Sequence, residues 1–174
     1  MKLGAIDQGT TSSRALMLSD GKAELSATFT HKQSYPTSGW VEHDPRELLK
    51  NIQACSEALE NADALGLDNQ GESCLAWDRK TGQPISPVIV WQDNRTANVT
   101  NKLKKHGHEE RVKALSGLPL DPYFSASKLA WILENVPEAK ELLSEKRLAL
   151  GTTDAFFLQN LVGRFVTDVT TASR

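Results

Sequence analysis

Between two short apolar runs near the start of the chain stands Asp7-Gln8-Gly9-Thr10-Thr11-Ser12-Ser13-Arg14. Gly9 permits a tight turn and a close approach of the backbone. Amides around such a turn form a small anion nest. Thr10, Thr11, Ser12 and Ser13 add hydroxyl donors, and Arg14 adds a planar cation suited to phosphate oxygens. Asp7, at the end of the first predicted strand, stands where a hydrated Mg2+ beside those oxygens needs a carboxylate. Strand alternation sends only some of the hydroxyls to one side. Taken alone, the same residues also suit a polar turn whose Ser and Thr side chains satisfy their own backbone. Neither the P-loop pattern GxxxxGK[ST] nor the dinucleotide pattern GxGxxG occurs in the sequence.

The elements around this turn follow from periodicity. Strands are expected at Lys2–Ile6, Ala15–Leu18 and Ala23–His31, with Ser19–Lys22 as a connecting turn, which makes three antiparallel strands. Asp44-Pro45 announces a helix with Asp44 as cap and Pro45 at the first helical position. Leu48, Ile52, Cys55 and Leu59 continue it to about Asn61. Ala64–Leu67 reads as a short buried strand, Ser73–Trp77 as another, and Val88–Trp91 as a strand covered on both faces. Beyond these, helices are expected near Thr96–Lys105, Glu109–Leu115, Ser125–Asn135, Pro137–Ser144 and Asp154–Leu161, with a strand at Leu148–Leu150. This order predicts an α/β fold in which helices pack on a mixed sheet. Phe165–Asp168 reads as the start of a further strand that nothing after it completes, as in a piece of something longer.

Composition narrows the function classes. With 174 residues the chain fits one domain with a real core. A formal net charge of −2 gives no general attraction to nucleic acid or to an anionic membrane surface. No apolar stretch approaches the roughly 18 residues that span a bilayer, and the start MKLGAID breaks off too soon for a signal peptide. A cytoplasmic location is the expectation. Cys55 and Cys74 are then expected as buried free thiols. His106, His108 and Glu109 have the residue types of a metal cluster, but Lys104, Lys105 and Gly107 beside them read as a solvated helix end.

The hairpin is the first of six ordered stretches that resemble the FGGY family of carbohydrate kinases, its glycerol kinase branch in particular. The others are Gly39–Pro45 (GWVEHDP), Asn69–Ser73 (NQGES), Val88–Thr96 (VIVWQDNRT), Asp121–Lys128 (DPYFSASK) and Gly151–Phe156 (GTTDAF). The resemblance runs from about Gly4 to Arg174. It implies an actin/hexokinase-type (ribonuclease H-like) ATPase lobe. That lobe is a mixed sheet with three antiparallel N-terminal strands and flanking helices, here truncated to an incomplete N-terminal domain, residues 1–174, with the C-terminal domain absent. The implied activity is ATP-dependent phosphorylation of a hydroxyl on a small polyol or sugar, with ATP and Mg2+ as cofactors. By position, Thr10, Thr11, Ser12 and Arg14 take the nucleotide phosphates and Asp7 lies near the metal. Family members often associate into homo-oligomers.

Polyol recognition needs carboxylates to accept hydroxyl protons, complementary donors and a flat apolar wall. The resemblance assigns these roles to Glu72, Tyr123 and Trp91. Their ordinary alternatives are a solvated glutamate, a turn at Asp121–Tyr123 and a core tryptophan. One position departs from the family: where glycerol kinases typically read Asn-Gln-Arg-Glu, this chain has Gly71 in the third place. Loss of a charge-assisted hydrogen bond there is worth roughly 1.5–3 kcal/mol, so a longer polyol or ketose is expected in place of glycerol. Asn61-Ala62-Asp63 is a second departure, a connection shorter than the family usually has. The family's catalytic base and adenine pocket are expected beyond Arg174, so the 174 residues alone are expected to be inactive. Two other classes compete: a non-catalytic polyol-binding module, and a glycoside hydrolase using Glu72 and Asp93 as its carboxylate pair.

Overall fold

A computed structural model describes residues 1–173. The chain begins with β1 (Leu3–Gln8), β2 (Ser12–Ser19) and β3 (Lys22–Thr30), then a short β4 (Glu42–His43) and helix α1 (Pro45–Glu57). β5 (Ala64–Asp68), β6 (Cys74–Asp78) and β7 (Val88–Ile89) follow, and after them α2 (Ala97–Lys105), α3 (Glu109–Ser116), α4 (Ser125–Asn135) and α5 (Pro137–Ser144). β8 (Leu148–Thr152), α6 (Thr153–Val162) and a one-turn α7 (Val169–Ala172) complete the described chain. Among these residues no helix is long and apolar enough to cross a membrane.

The strands form two four-stranded sheets, ordered β3-β2-β1-β5 and β4-β7-β6-β8, where one mixed sheet was expected. In the first, β1 pairs antiparallel with β2 and parallel with β5, so this sheet is the mixed one. The second is antiparallel throughout. Helix α1 starts as its sequence requires: the Asp44 carboxylate accepts the Arg46 amide at 2.8 Å, and Pro45 gives up an N–H that has no partner in a first turn. Leu48, Ile52, Cys55 and Leu59, at 1% exposure or less, pack against Ile6 and Ala15 of the first sheet and Leu75, Trp77 and Val88 of the second. Phe156 and Phe157 of α6 join this core, while Ile132 of α4 and Ala139 of α5 cover the opposite face of β6 through Ala76. β6 is therefore buried along its whole length.

Three expectations about elements are corrected. Among the described residues β5 lies at the edge of its sheet and is largely exposed, only Leu67 reaching the core, where a buried strand was expected. β7 has two residues, and Trp91 lies beyond it in a turn, because the backbone after Ile89 bends so that Val90 donates to Val41 and Asp93 to Val90. Phe165–Asp168 is not a strand; Asp168 caps α7, accepting the amides of Thr170 at 2.6 Å and Thr171 at 2.8 Å. Arg174, to which the family resemblance runs, lies outside the described residues. The short link before β5 closes on the N-terminus: the Asp63 amide donates to the Lys2 carbonyl at 2.8 Å, and the Lys2 amide to the Asp63 carboxylate at 2.7 Å. Cys55 and Cys74 are both free and buried, and burial pushes the Cys74 thiol up to about 12.

Candidate functional site

The hairpin between β1 and β2 is a three-residue turn, Gly9-Thr10-Thr11, closed by the Gly9 amide donating to the Ser12 carbonyl at 3.0 Å. Its carbonyls point back into the protein. Gln70 Nε2 donates to the Gly9 carbonyl at 3.1 Å, His31 Nε2 to the Thr10 carbonyl at 3.1 Å, and the His31 amide to the Thr11 carbonyl at 3.2 Å. This fixes the turn from beneath while Thr11 faces solvent. Ser12 is only 9% exposed and Ser13 is fully buried, so alternation leaves Thr10 and Thr11 as the hydroxyls best placed for a ligand.

Arg14 is exposed on β2, directly opposite Asp7 in the β1–β2 register. On its other side Asp7 is the parallel partner of Asp68 on β5. All three side chains therefore stand on one face at the same end of the sheet. Sequence reasoning passed over Asp68, which nothing local distinguishes from an ordinary strand-end aspartate.

Of the polyol-side candidates, Gly71, Glu72 and Tyr123 line an open cavity of about 530 Å³, together with Asp68, Asn69 and residues of the α7 segment including Asp168 and Thr170. That volume lies in the usual range for a small-molecule site. Glu72 sits in the turn before β6, where the Ser73 amide donates to the Gln70 carbonyl at 2.9 Å. A Cβ built on Gly71 meets nothing within 4 Å. Trp91 and the hairpin are outside the cavity lining, but both are joined to it. The Trp91 ring packs edge-on against Tyr123, centroids 5.5 Å apart, and its Nε1 donates to the Thr10 hydroxyl at 3.3 Å. No local pattern signals the contribution of α7 to the lining.

Asp93 is withdrawn from any ligand. It is fully buried, Oδ1 accepts the Arg95 amide at 2.8 Å and Nε at 2.9 Å, and Oδ2 accepts the Val41 amide at 2.6 Å and Arg95 Nη2 at 2.8 Å. A carboxylate so occupied cannot exchange protons with a substrate, and the hydrolase reading loses its second carboxylate. Arg95 is itself held between the Trp40 and Trp131 rings, 3.9 and 4.6 Å from their centroids, and pairs with Glu42 at 2.7 Å. Asp121 serves a turn, accepting the Tyr123 amide at 2.9 Å. Glu109, beside His106 and His108 at what the sequence reads as a solvated helix end, pairs with Lys104 at 3.6 Å and accepts the Leu120 amide at 3.3 Å. No group of three or more His, Cys, Asp or Glu that could hold a metal ion occurs among the described residues.

Three buried basic side chains, Lys128, His31 and His43, border the site. Lys128 on α4 is fully buried and donates to the Tyr123 carbonyl at 2.6 Å. Desolvation lowers its ammonium to about 8, against the raising influence of Cys74, Asp93, Glu72 and Asp121. His31 and His43 stack edge to face at 4.8 Å beneath the hairpin, and burial lowers both imidazoles.

The FGGY family of carbohydrate kinases, N-terminal domain, matches residues 2–174. A glycerol kinase of Paraburkholderia phytofirmans is 47% identical over 181 residues, covering 98% of this chain and 36% of the relative. A glycerol kinase of a Bradyrhizobium species is equally similar, 47% identical with the same coverage. The crystal structure of Plasmodium falciparum glycerol kinase with ADP superposes with a TM-score of 0.87 at 28% identity, covering 99% of this chain and 37% of that one. A xylulose kinase from Lactobacillus acidophilus superposes with a TM-score of 0.83 at 22% identity, over 99% of this chain and 35% of that one, and supports the fold alone. The fold is thus the actin/hexokinase-type ATPase lobe that these kinases share. The chain spans a little over a third of the length of these relatives.

Proposed function

The chain belongs to the FGGY family of carbohydrate kinases, and we propose that the polypeptide containing it transfers the terminal phosphoryl group of ATP to a hydroxyl of a small polyol or sugar. The observation that carries this reading is the 3.1 Å hydrogen bond from Gln70 to the Gly9 carbonyl. It ties the turn suited to phosphate oxygens to the segment that presents Glu72, so the two reactants would meet at one place.

In this reading Thr10, Thr11 and Ser12 supply donors to the nucleotide phosphates, Thr10 and Thr11 most directly, and Arg14 adds its charge at the same end of the sheet. Asp7 fits a hydrated Mg2+: it is a half-buried strand-end carboxylate beside the turn, and this ion usually takes one or two carboxylates plus phosphate oxygens. When bound, Mg2+ neutralises the charge that builds on those oxygens during transfer. Glu72 accepts hydrogen bonds from the polyol hydroxyls, Tyr123 donates to its oxygens, and Trp91 backs Tyr123 as an apolar wall. Transfer also needs a base for the attacking hydroxyl, and we assign that group, with the adenine site, to the part of the relatives' length that this chain does not span. Residues 1–174 by themselves would then bind ATP weakly and turn nothing over. ATP as phosphoryl donor is consistent with a cytoplasmic reaction.

Gly71 sets the substrate class. The open space at its Cβ leaves room that an arginine would fill, which favours a four- or five-carbon sugar alcohol or ketose over glycerol. The test is a polyol screen with ATP and Mg2+ on the full-length polypeptide, read as ADP release. Polyol-dependent ADP release with longer substrates preferred is the expected result. Equal ADP release with and without every polyol overturns the kinase reading, and preference for glycerol overturns the substrate class.

A further inference from the structure

We infer that Ser125 and Lys128 are positioning residues that set the separation of Glu72 and Tyr123 across the cavity, an inference that rests on the polyol reading of that cavity.

Both side chains sit in the first turns of α4, three residues apart and hence on one helix face, and both are buried, at 5% and 0% exposure. The Ser125 hydroxyl donates to the carbonyl of Glu72 at 3.0 Å, across 53 residues of chain. The Lys128 ammonium donates to the carbonyl of Tyr123 at 2.6 Å. One rigid helix turn thus grips the main chain of both residues proposed to meet the substrate hydroxyls. Tyr123 is held from its other side as well, because its amide donates to Asp121 at 2.9 Å. The turn that carries the phenol is thus fixed between Asp121 and the start of α4, and Ser125 fastens that helix to the turn bearing Glu72.

Packing alone does not account for the lysine. The same face of α4 carries Ile132, fully buried against Ala76 and Ile89. An apolar side chain at position 128 would fill the space without the cost of desolvating an ammonium. What an apolar residue lacks is a donor for the Tyr123 carbonyl and a positive charge amid Glu72, Asp93 and Asp121. Both are needed if the acidic substrate end of the cavity is to keep one geometry, since placement errors near 1 Å at a reacting centre cost large factors in rate.

The test uses the full-length polypeptide with Ser125→Ala and Lys128→Met, and separate KM determinations for ATP and for a polyol that the parent phosphorylates. The expected result is a polyol KM raised about 5- to 20-fold in each variant, with the ATP KM changed less than about twofold. In the parent, the polyol KM should also rise above about pH 8, as Lys128 loses its proton amid Cys74, Glu72, Asp93 and Asp121, and Lys128→Met should lack that limb. Variants with an unchanged polyol KM, or with both KM values moving together, overturn the clamp. Ser125→Ala removes one oxygen and carries the test if Lys128→Met fails to fold. A parent without polyol-dependent turnover overturns the kinase reading and this inference with it, whereas an active parent with unaffected variants overturns the inference alone.

Discussion

The indole nitrogen of Trp91 donates to the Thr10 hydroxyl at 3.3 Å, across 81 residues of chain. Because the same indole packs on Tyr123, the proposed phosphate turn and the proposed polyol wall form one connected unit. The bond also occupies one lone pair of Thr10 and leaves its O–H free to turn toward a phosphate oxygen.

Trp91→Phe keeps an aromatic face and removes only the donor. A neutral hydrogen bond of this kind contributes about 0.5–1.5 kcal/mol, so KM for both substrates should rise no more than about tenfold. Trp91→Ala, which also removes the wall behind Tyr123, should raise the polyol KM well beyond that. Steady-state kinetics of the full-length polypeptide checks both; equal effects from the two substitutions would show that the ring does not support the phenol.

Gly71→Arg should fold normally, because a side chain there enters open space and the backbone needs no left-handed conformation. It restores a charged donor at the cavity, worth roughly 1.5–3 kcal/mol, so glycerol use should improve by about one to two decades in kcat/KM. A competition between glycerol and a five-carbon polyol reads the shift directly, and an unchanged preference would count against the substrate class proposed here.

Arg95→Met tests structure, not chemistry. It strips the fully buried Asp93 of its guanidinium partner and empties the slot between Trp40 and Trp131. Breaking a buried pair by removing one partner costs about 3–5 kcal/mol. Denaturant unfolding should show a loss of that size, and a loss under about 1 kcal/mol would mean that the pair is far better solvated than its burial implies.

Acid should loosen the floor of the hairpin. Burial lowers the His31 and His43 imidazoles from their ordinary 6.5, so below that pH the unfolded chain binds more protons than the folded one. Stability therefore falls as pH drops through 6.5 toward the folded values and is recovered above 6.5. NMR titration should show both imidazoles protonating below 6.5. Protonation of either at or above 6.5 would contradict a desolvated pair.

Much of this protein is legible from local sequence. The Asp44 cap, the α1 stripe of Leu48, Ile52 and Cys55, the bounds of α4 and α5, and the hydroxyl-rich turn at Gly9 all follow from periodicity and turn chemistry, which act over a few residues. Other features depended on segments far apart in the chain. Thr10 and Thr11 remain available while Ser13 is buried, because α1 covers one face of the first sheet. Asp93 is lost to chemistry because Arg95, itself held between two tryptophans, and the Val41 amide occupy both its oxygens. Among the described residues β5 has a neighbour on one side only, which its apolar run does not reveal. Ser125 and Lys128 become clamps only when α4 docks against the turn that carries Glu72. Burial and long-range hydrogen bonds are properties of docked surfaces, and no run of neighbouring residues encodes which surfaces will meet.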